Sequence, residues 1–256
     1  SSSPHVRCGV STKNLMYDVA IAMLPATIWG VMQFGIYSLI VVVATVLSCV
    51  LSEYLFETLM HKPVTISDGS ALVTGMILGL NMPPAIPLWM PILGGVFAII
   101  VVKQLYGGLG QNWMNPALAA RCFMLISFAQ AMTKFTDPVT DAVASATPLA
   151  AIKAGDTYDL AAMFIGKIPG TIGETSVIAI LIGAMILILL GVITLRIPAA
   201  YLITFAVFML IFGKEPMNAN YLVAELCGGG LMLGAFFMAT DYVTSPITPA
   251  GQIIYG

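Results

Sequence analysis

The sequence predicts an all-α integral membrane protein, and three observations carry that prediction. Of its 256 residues, 59% are apolar and only 9% charged, against roughly 25% charged in a soluble domain. Such a chain cannot cover a water-facing surface, and its mean hydropathy is +0.97. Apolar segments of the length a helix needs to cross hydrocarbon, about 20 residues, recur from end to end. Two of those segments are interrupted by glycine at comparable places in the two halves, which points to an inverted repeat with a site near the membrane midplane.

Eight segments qualify or nearly qualify as spans: roughly 15–33, 36–60, 68–82, 87–106, 116–132, 176–195, 197–213 and 222–240. The third is too short to cross alone. It opens at Asp68-Gly69-Ser70, carries Gly75 and Gly79, and closes at Asn81-Met82-Pro83-Pro84. The eighth is broken by Gly228-Gly229-Gly230 and Gly234 and ends at Asp241 before Ser245-Pro246. Five spans precede the hydrophilic loop 133–174 and three follow it. An odd-numbered repeat must come out inverted, so two more spans are expected after residue 256. The whole is then about ten helices in a five-plus-five inverted repeat with broken third and eighth helices. The expected units are an N-terminal membrane half, 1–132, an extracytoplasmic loop, 133–175, and an incomplete C-terminal membrane half, 176–256.

Basic residues orient the spans. With the N-terminus in the cytoplasm, Arg7, Lys13, Lys62, Lys103, Arg121 and Arg196 fall inside, and Lys134, Lys153, Lys167 and Lys214 fall outside. The loop also carries Asp137, Asp141, Asp156, Asp159 and Glu174, an acidic balance that agrees with an outer location. The polar start, SSSPHVRCGVSTKN, has no cleavable signal pattern, and the numbering is expected to begin a few residues into the gene product. Trp29, Trp89 and Trp113 stand near span ends, where interfacial anchors belong.

Several function classes fall away on composition. A formal net charge of −2 with 10 basic residues leaves no positive field for a phosphate backbone, so no nucleic acid is expected. Cys8, Cys49, Cys122 and Cys227 are scattered without a C-x-x-C, and His5 and His61 are far apart, so no metal or iron–sulfur site is expected from this chain alone. Gly107-Gly108-Leu109-Gly110 follows no strand and precedes no G-K-S/T, so it reads as a tight cytoplasmic turn rather than a phosphate loop. Asn112 and Asn115 beside it could reach a cofactor or a partner subunit.

Acids in or beside apolar segments are the candidates for an ion path, because a charge in hydrocarbon is costly and faces the protein interior. Asp18, Glu53, Glu57, Asp68, Glu225 and Asp241 are such residues. Glu53 and Glu57, one turn apart near a span end, are expected to be solvated. Asp68, Glu225 and Asp241 flank the broken helices and are the candidates for an ion path, the alternative being an interfacial location.

The loop holds Asp141-Ala142-Val143-Ala144-Ser145-Ala146-Thr147-Pro148-Leu149. Pro148 biases Thr147 to an extended conformation, and small neighbours leave its hydroxyl open to another protein, as a modification acceptor needs. The alternative is ordinary capping, with Thr147 at the N-cap and Pro148 at the first helical position.

Five stretches together resemble the family that contains the D subunits of Rnf electron-transport complexes and the B subunits of sodium-translocating NADH:quinone oxidoreductases. They are Ser3-Pro4-His5, Met16 through Pro25, Asp68 through Gly75, Gly107 through Pro116, and Met238 through Pro246. The likeness covers the whole chain and is nearer the Rnf side. The start at SSSPHVRCGV fits those subunits better than it fits the quinone-reducing relatives, which are expected to carry a longer N-terminal region. In that family a threonine in an Asp-x-x-x-Ser/Gly-Ala-Thr setting carries FMN by a phosphoester bond, and Asp141, Ser145, Ala146 and Thr147 match it position by position. The resemblance therefore implies covalent FMN on Thr147, placed there by a separate flavin transferase with FAD as donor, because an unactivated hydroxyl is a poor nucleophile. It also implies a multi-pass bacterial inner-membrane subunit that passes electrons between ferredoxin and NAD coupled to Na+ or H+ movement. Its partners would be other membrane and peripheral Rnf subunits, a second non-covalent flavin is open, and no complete active site lies in this chain alone. The competing readings are a component like the quinone-reducing B subunit, a channel or secondary transporter with the same repeat, and a scaffold for other subunits.

Overall fold

The computed structural model describes residues 11–136, 143–144, 149–150, 152, 159–214 and 218–256. These form a helical protein with one minimal antiparallel pairing, β1 (Phe135–Thr136) with β2 (Val143–Ala144), in the register Phe135 to Ala144. Thr147, Asp141, Ser145 and Ala146 lie outside the described residues.

Helix α1 (Thr12–Phe34) begins where the Ser11 hydroxyl accepts the Asn14 N–H at 3.2 Å, an N-cap that satisfies one of the free donors of the first turn. It stops at Gly35, whose φ of +82° turns the chain directly into α2 (Ile36–Leu59). Both helices are long and apolar enough to cross a membrane, as is α4 (Trp89–Tyr106). The second half of α4 widens into a π-helical stretch, Phe97–Lys103, closed by a 3-10 turn. Such bulges are frequent at functional sites, and this one delivers Lys103 into the interior.

The third predicted span is short. After a 3-10 turn at Ile66–Asp68, α3 (Ser70–Leu80) makes only 11 residues before Pro83 and Pro84 forbid its continuation. It packs on α1, α2 and α5 (Pro116–Ser127). Its glycines permit the closest of these approaches: a Cβ at Gly75 would stand 2.6 Å from the Val46 Cα, and one at Gly79 would stand 3.0 Å from the Val42 Cα. Small residues are what allow membrane helices to meet backbone to backbone.

Helix α5 is capped by Asn115, whose Oδ1 accepts from Ala117 and Leu118. It ends at Ser127, and after a break at Phe128 one further helical turn, Ala129–Met132, reaches the predicted end of the span. Beyond the loop, α6 (Leu160–Ile165) leads into a buried stretch, 168–176, which opens α7 (Val177–Leu189) at the Ser176 cap. The Ile172 and Gly173 N–H groups donate to Met82 O and Leu80 O at 3.1 and 2.8 Å, fastening this stretch to the end of α3. Helix α8 (Arg196–Phe212) buries only Ile197 and Pro198. The eighth predicted span is observed as two pieces, α9 (Ala219–Cys227) and α10 (Leu231–Met238), bent by 68° at the three glycines. Helix α11 (Pro249–Tyr255) packs back on α8.

Three helices among the described residues pass as complete spans, or four if the bent pair counts as one, with four further apolar helices of 10–17 residues. The all-helical membrane class is therefore observed, with interruptions at the third and eighth segments.

Candidate functional site

Two polar clusters stand at opposite ends of the pair α3 and α10. The first is built where α2, α3 and α4 converge. The Lys103 ammonium donates to Glu53 Oε1 at 2.5 Å and to Ser70 Oγ at 2.6 Å, and the Gln104 amide donates to the same Glu53 oxygen at 2.8 Å. Ser70 in turn donates from its hydroxyl (2.6 Å) and its backbone (2.8 Å) to Asp68 Oδ1. On the far side, Glu57 accepts from the Thr65 N–H (2.9 Å) and hydroxyl (2.5 Å) and from Gln104 (3.3 Å). A continuous chain of donors and acceptors thus joins Asp68 to Glu57 through Lys103 and Glu53.

Glu53 is 0% and Glu57 2% exposed. This corrects the expectation that they are solvated at a span end. An unpaired charge at such burial would be prohibitive, whereas a paired and hydrogen-bonded one is tolerated. Lys103 is likewise 2% exposed, and its positive charge is paired with Glu53 rather than presented at the surface.

Ser70 and Lys103 form one wall of a cavity of about 90 Å³. Asn112, Asn115 and Asp241 stand on the others, with Ile77 and Phe237 as apolar lining. The Asn112 amide donates to Met114 O and Asn115 caps α5. Asp241 accepts the Val243 N–H at 3.3 Å and the Thr244 hydroxyl at 3.2 Å. Burial pushes its carboxyl above the ordinary carboxylate value, and those two hydrogen bonds pull the other way. The glycines at 107, 108 and 110 all take positive φ and turn the chain beside this cavity, as expected of a turn.

The second cluster lies at the other ends of the same two helices. Arg121, in the middle of α5, donates from Nη1 to Asn81 Oδ1 at 2.6 Å, and its Nη2 stands 3.7 Å from Glu174 Oε2. Asn81 terminates α3, and its own amide is held by Ile77 O at 2.7 Å. Glu174 Oε1 accepts the Thr171 N–H at 3.1 Å. A Cβ at Gly230, the first residue past the bend, would stand 2.8 Å from Glu174 Oε2 and 3.6 Å from Arg121 Nη1. Arg121, 27% exposed, therefore joins the ends of both broken segments. Glu174, expected among the exterior acids of the loop, is 9% exposed and belongs to the interior.

Of the predicted ion-path residues, Asp241 lines the cavity and Asp68 reaches it through Ser70. Glu225 is apart from them, on α9 beyond the bend, 7% exposed, and among the described residues nothing partners its Oε1. The pairing roles of Lys103, Arg121, Glu174 and Asn81 are not foreseen from the sequence. The available signal was a lone basic residue inside each of two otherwise apolar helices. No group of three or more His, Cys, Asp or Glu able to hold a metal occurs among the described residues.

The chain matches the NQR2, RnfD, RnfE family over residues 1–256. It is 48% identical over 261 residues to the D subunit of the Na+-translocating ferredoxin:NAD+ oxidoreductase complex of Acetobacterium woodii, covering 100% of this chain and 80% of that protein. It is 40% identical over 270 residues to the D subunit of the proton-translocating ferredoxin:NAD+ oxidoreductase complex of Clostridium ljungdahlii, covering 100% and 82%. It is 33% identical over 291 residues to the D subunit of the ion-translocating oxidoreductase complex of Rhodobacter capsulatus, covering 100% and 81%.

Proposed function

The chain belongs to the NQR2, RnfD, RnfE family, and from that membership we propose that it works as the D subunit of an Rnf-type ion-translocating ferredoxin:NAD+ oxidoreductase. The observation that carries this reading is 48% identity along the whole chain to a protein of that name. Its partners are the other subunits of the complex. Its setting is the bacterial inner membrane, with the N-terminus inside and the loop 133–174 outside. The ten-helix, five-plus-five inverted arrangement belongs to the same proposal, supported by the interruptions at the third and eighth segments.

Thr147 is the proposed site of FMN, attached through a phosphoester by a flavin transferase acting on FAD, with Asp141, Ser145 and Ala146 as the rest of the attachment motif. One described neighbour bears on the fit. Leu149 packs on the bend between α9 and α10: Cβ atoms at Gly228 and Gly229 would stand 3.1 and 2.8 Å from its side chain. Thr147 is two residues before Leu149 in the sequence, a separation of about 8 Å of chain at most. When bound, the flavin supplies electron transfer, and the protein contributes position and electrostatics.

The cavity, at about 90 Å³, is well below the ~300–1,000 Å³ of sites that enclose a ligand of flavin size, so the second, non-covalent flavin is not assigned to it. Asp68, Glu225 and Asp241 are the proposed acids of the ion route. The relatives are named for different ions, sodium in one and protons in another, and the route proposed here is for a small monovalent cation of either kind.

A transporter would share the bent span, and a quinone-reducing B-type subunit would share the family. Denaturing electrophoresis of the assembled complex, from cells with an active flavin transferase, separates the first from the proposal. A band of this subunit fluorescent under ultraviolet light supports the flavin carrier, and a dark band supports the transporter. Ferredoxin-dependent NAD+ reduction by the same complex separates the second.

A further inference from the structure

The Arg121 cluster has no part in the function proposed above, yet its position is specific. Helix α3 begins at the cavity, with Ser70 in its wall, and ends at Asn81 beside Arg121. Helix α10 begins just after Gly230, which lies beside Arg121 and Glu174, and ends at the cavity, with Phe237 in its wall. The two therefore run in opposite senses between the same pair of polar stations. Between the stations the interior is apolar: Leu80 and Leu233 are 0% and 1% exposed. A cation leaving the cavity along these helices toward the loop end would emerge at the Arg121 guanidinium.

That guanidinium is held in place. Asn81 fixes one arm, and Asn81 is itself fixed to α3. Glu174 stands at the other arm, and its segment is tied to α3 through the Ile172 and Gly173 N–H groups. At the glycine bend Leu149 and Met163 close over Gly228 and the Glu174 carboxylate lies against Gly230, while the Arg121 side chain keeps 27% of its surface exposed. Arginine remains protonated at any accessible pH, so the guanidinium keeps its charge whatever the proton concentration on either side. Glu174 at 3.7 Å and this exposure offset part of its field. A fixed positive charge partly withdrawn from water still repels a dehydrated cation more strongly than it would in water, and pores use arginine in this way to exclude cations and protons.

We infer that Arg121, clamped by Asn81 and Glu174 at the junction of the two broken helices, is the cation barrier that closes the loop end of the route starting at the cavity. The inference rests on the reading that cations cross through this chain, and it assigns Arg121 a role distinct from the acids that admit them. Arg121 acts on passive permeability and is not required for electron transfer.

The test uses the full complex in sealed vesicles without an electron donor, measuring entry of radiolabelled sodium and, with a pH-sensitive dye, of protons. Arg121→Gln is expected to raise the passive leak of one of the two ions on the order of tenfold or more, the factor that removing ~1.4 kcal/mol of barrier produces. Arg121→Lys, which keeps the charge, is expected to stay tight. The double variant Arg121→Gln with Glu174→Gln leaves no unpaired buried charge, and it carries the test if the single variant does not assemble; it too should leak. Assembled glutamine variants with normal electron transfer and no added leak of either ion would overturn the inference. Driven ion uptake in Asp241→Asn distinguishes the two failures. If uptake is lost there and Arg121→Gln is tight, the route stands and the barrier is wrong. If uptake is normal there and in the Asp68 and Glu225 neutralised forms, the route itself is elsewhere and the barrier falls with it.

Discussion

Lys103 Nζ lies 2.5 Å from Glu53 Oε1, with the two side chains 2% and 0% exposed. They are separated by 50 residues, and neither helix alone would tolerate its charge. Ser70 and Gln104 add further hydrogen bonds, while Glu53 Oε2 is buried without a partner among the described residues. The pair ties α2, α3 and α4 together at the cavity.

Removing one partner should cost more than removing both. Lys103→Met leaves Glu53 buried and unpaired, a loss of about 3–5 kcal/mol. The double variant Lys103→Met with Glu53→Gln should recover much of that loss. Thermal unfolding of the detergent-solubilised complex, followed by subunit retention, measures both. Equal loss in the single and double variants would mean that the ion pair is not what holds this junction.

Backbone approach between α2 and α3 gives a second test. Gly75→Ala places a methyl 2.6 Å from the Val46 Cα and should destabilise by about 1–3 kcal/mol through forced separation of the helices. Gly234→Ala meets nothing within 4 Å and should be neutral or stabilise by up to roughly 1 kcal/mol. The two variants, compared by thermal midpoint, should move in different directions.

Asp241→Asn keeps the shape of the side chain and removes the charge at the cavity. The expected outcome is loss of driven ion uptake with electron transfer retained, measured separately in the same vesicles. Normal uptake in the neutralised forms of Asp68, Glu225 and Asp241 would make these acids structural, with Asp68 simply holding the start of α3 through Ser70.

Thr147→Ser retains a hydroxyl and drops a methyl. Partial flavin labelling is expected, because the attacking oxygen survives while the side chain that the transferase reads is altered. The labelled fraction, read as in-gel fluorescence per unit protein, reports how strictly the methyl is recognised, and full loss would show that the methyl is indispensable.

Much of this architecture was legible in the residues. The first, second and fourth spans follow from apolar runs of sufficient length, and the interrupted third and eighth follow from Pro83-Pro84 and Gly228-Gly229-Gly230. The sixth span ends at Leu189 rather than near 195, since an all-apolar helix gives no periodicity to mark where it leaves the bundle. Pairing across the fold was not legible at all. Glu174 reads as an exterior loop acid because polar residues follow Gly166, yet the segment folds back and is fastened to Leu80 and Met82. Lys103 and Arg121 read as orientation signals because sequence gives their charge and not their partner. The Thr147 motif was legible as a motif only, and its placement lies outside the described residues.

The central claim is that this chain carries its flavin on Thr147, and peptide mass spectrometry of the loop 133–174 from the assembled complex tests it most directly. The expected product is a peptide containing Thr147 heavier by one FMN joined through a phosphoester, with fragmentation placing the addition on that residue. Thr147→Ala should yield the unmodified peptide from a protein that still inserts, because the substitution touches no span. An unmodified loop from cells with an active flavin transferase, or an FMN-bearing peptide that persists in Thr147→Ala, would contradict the claim.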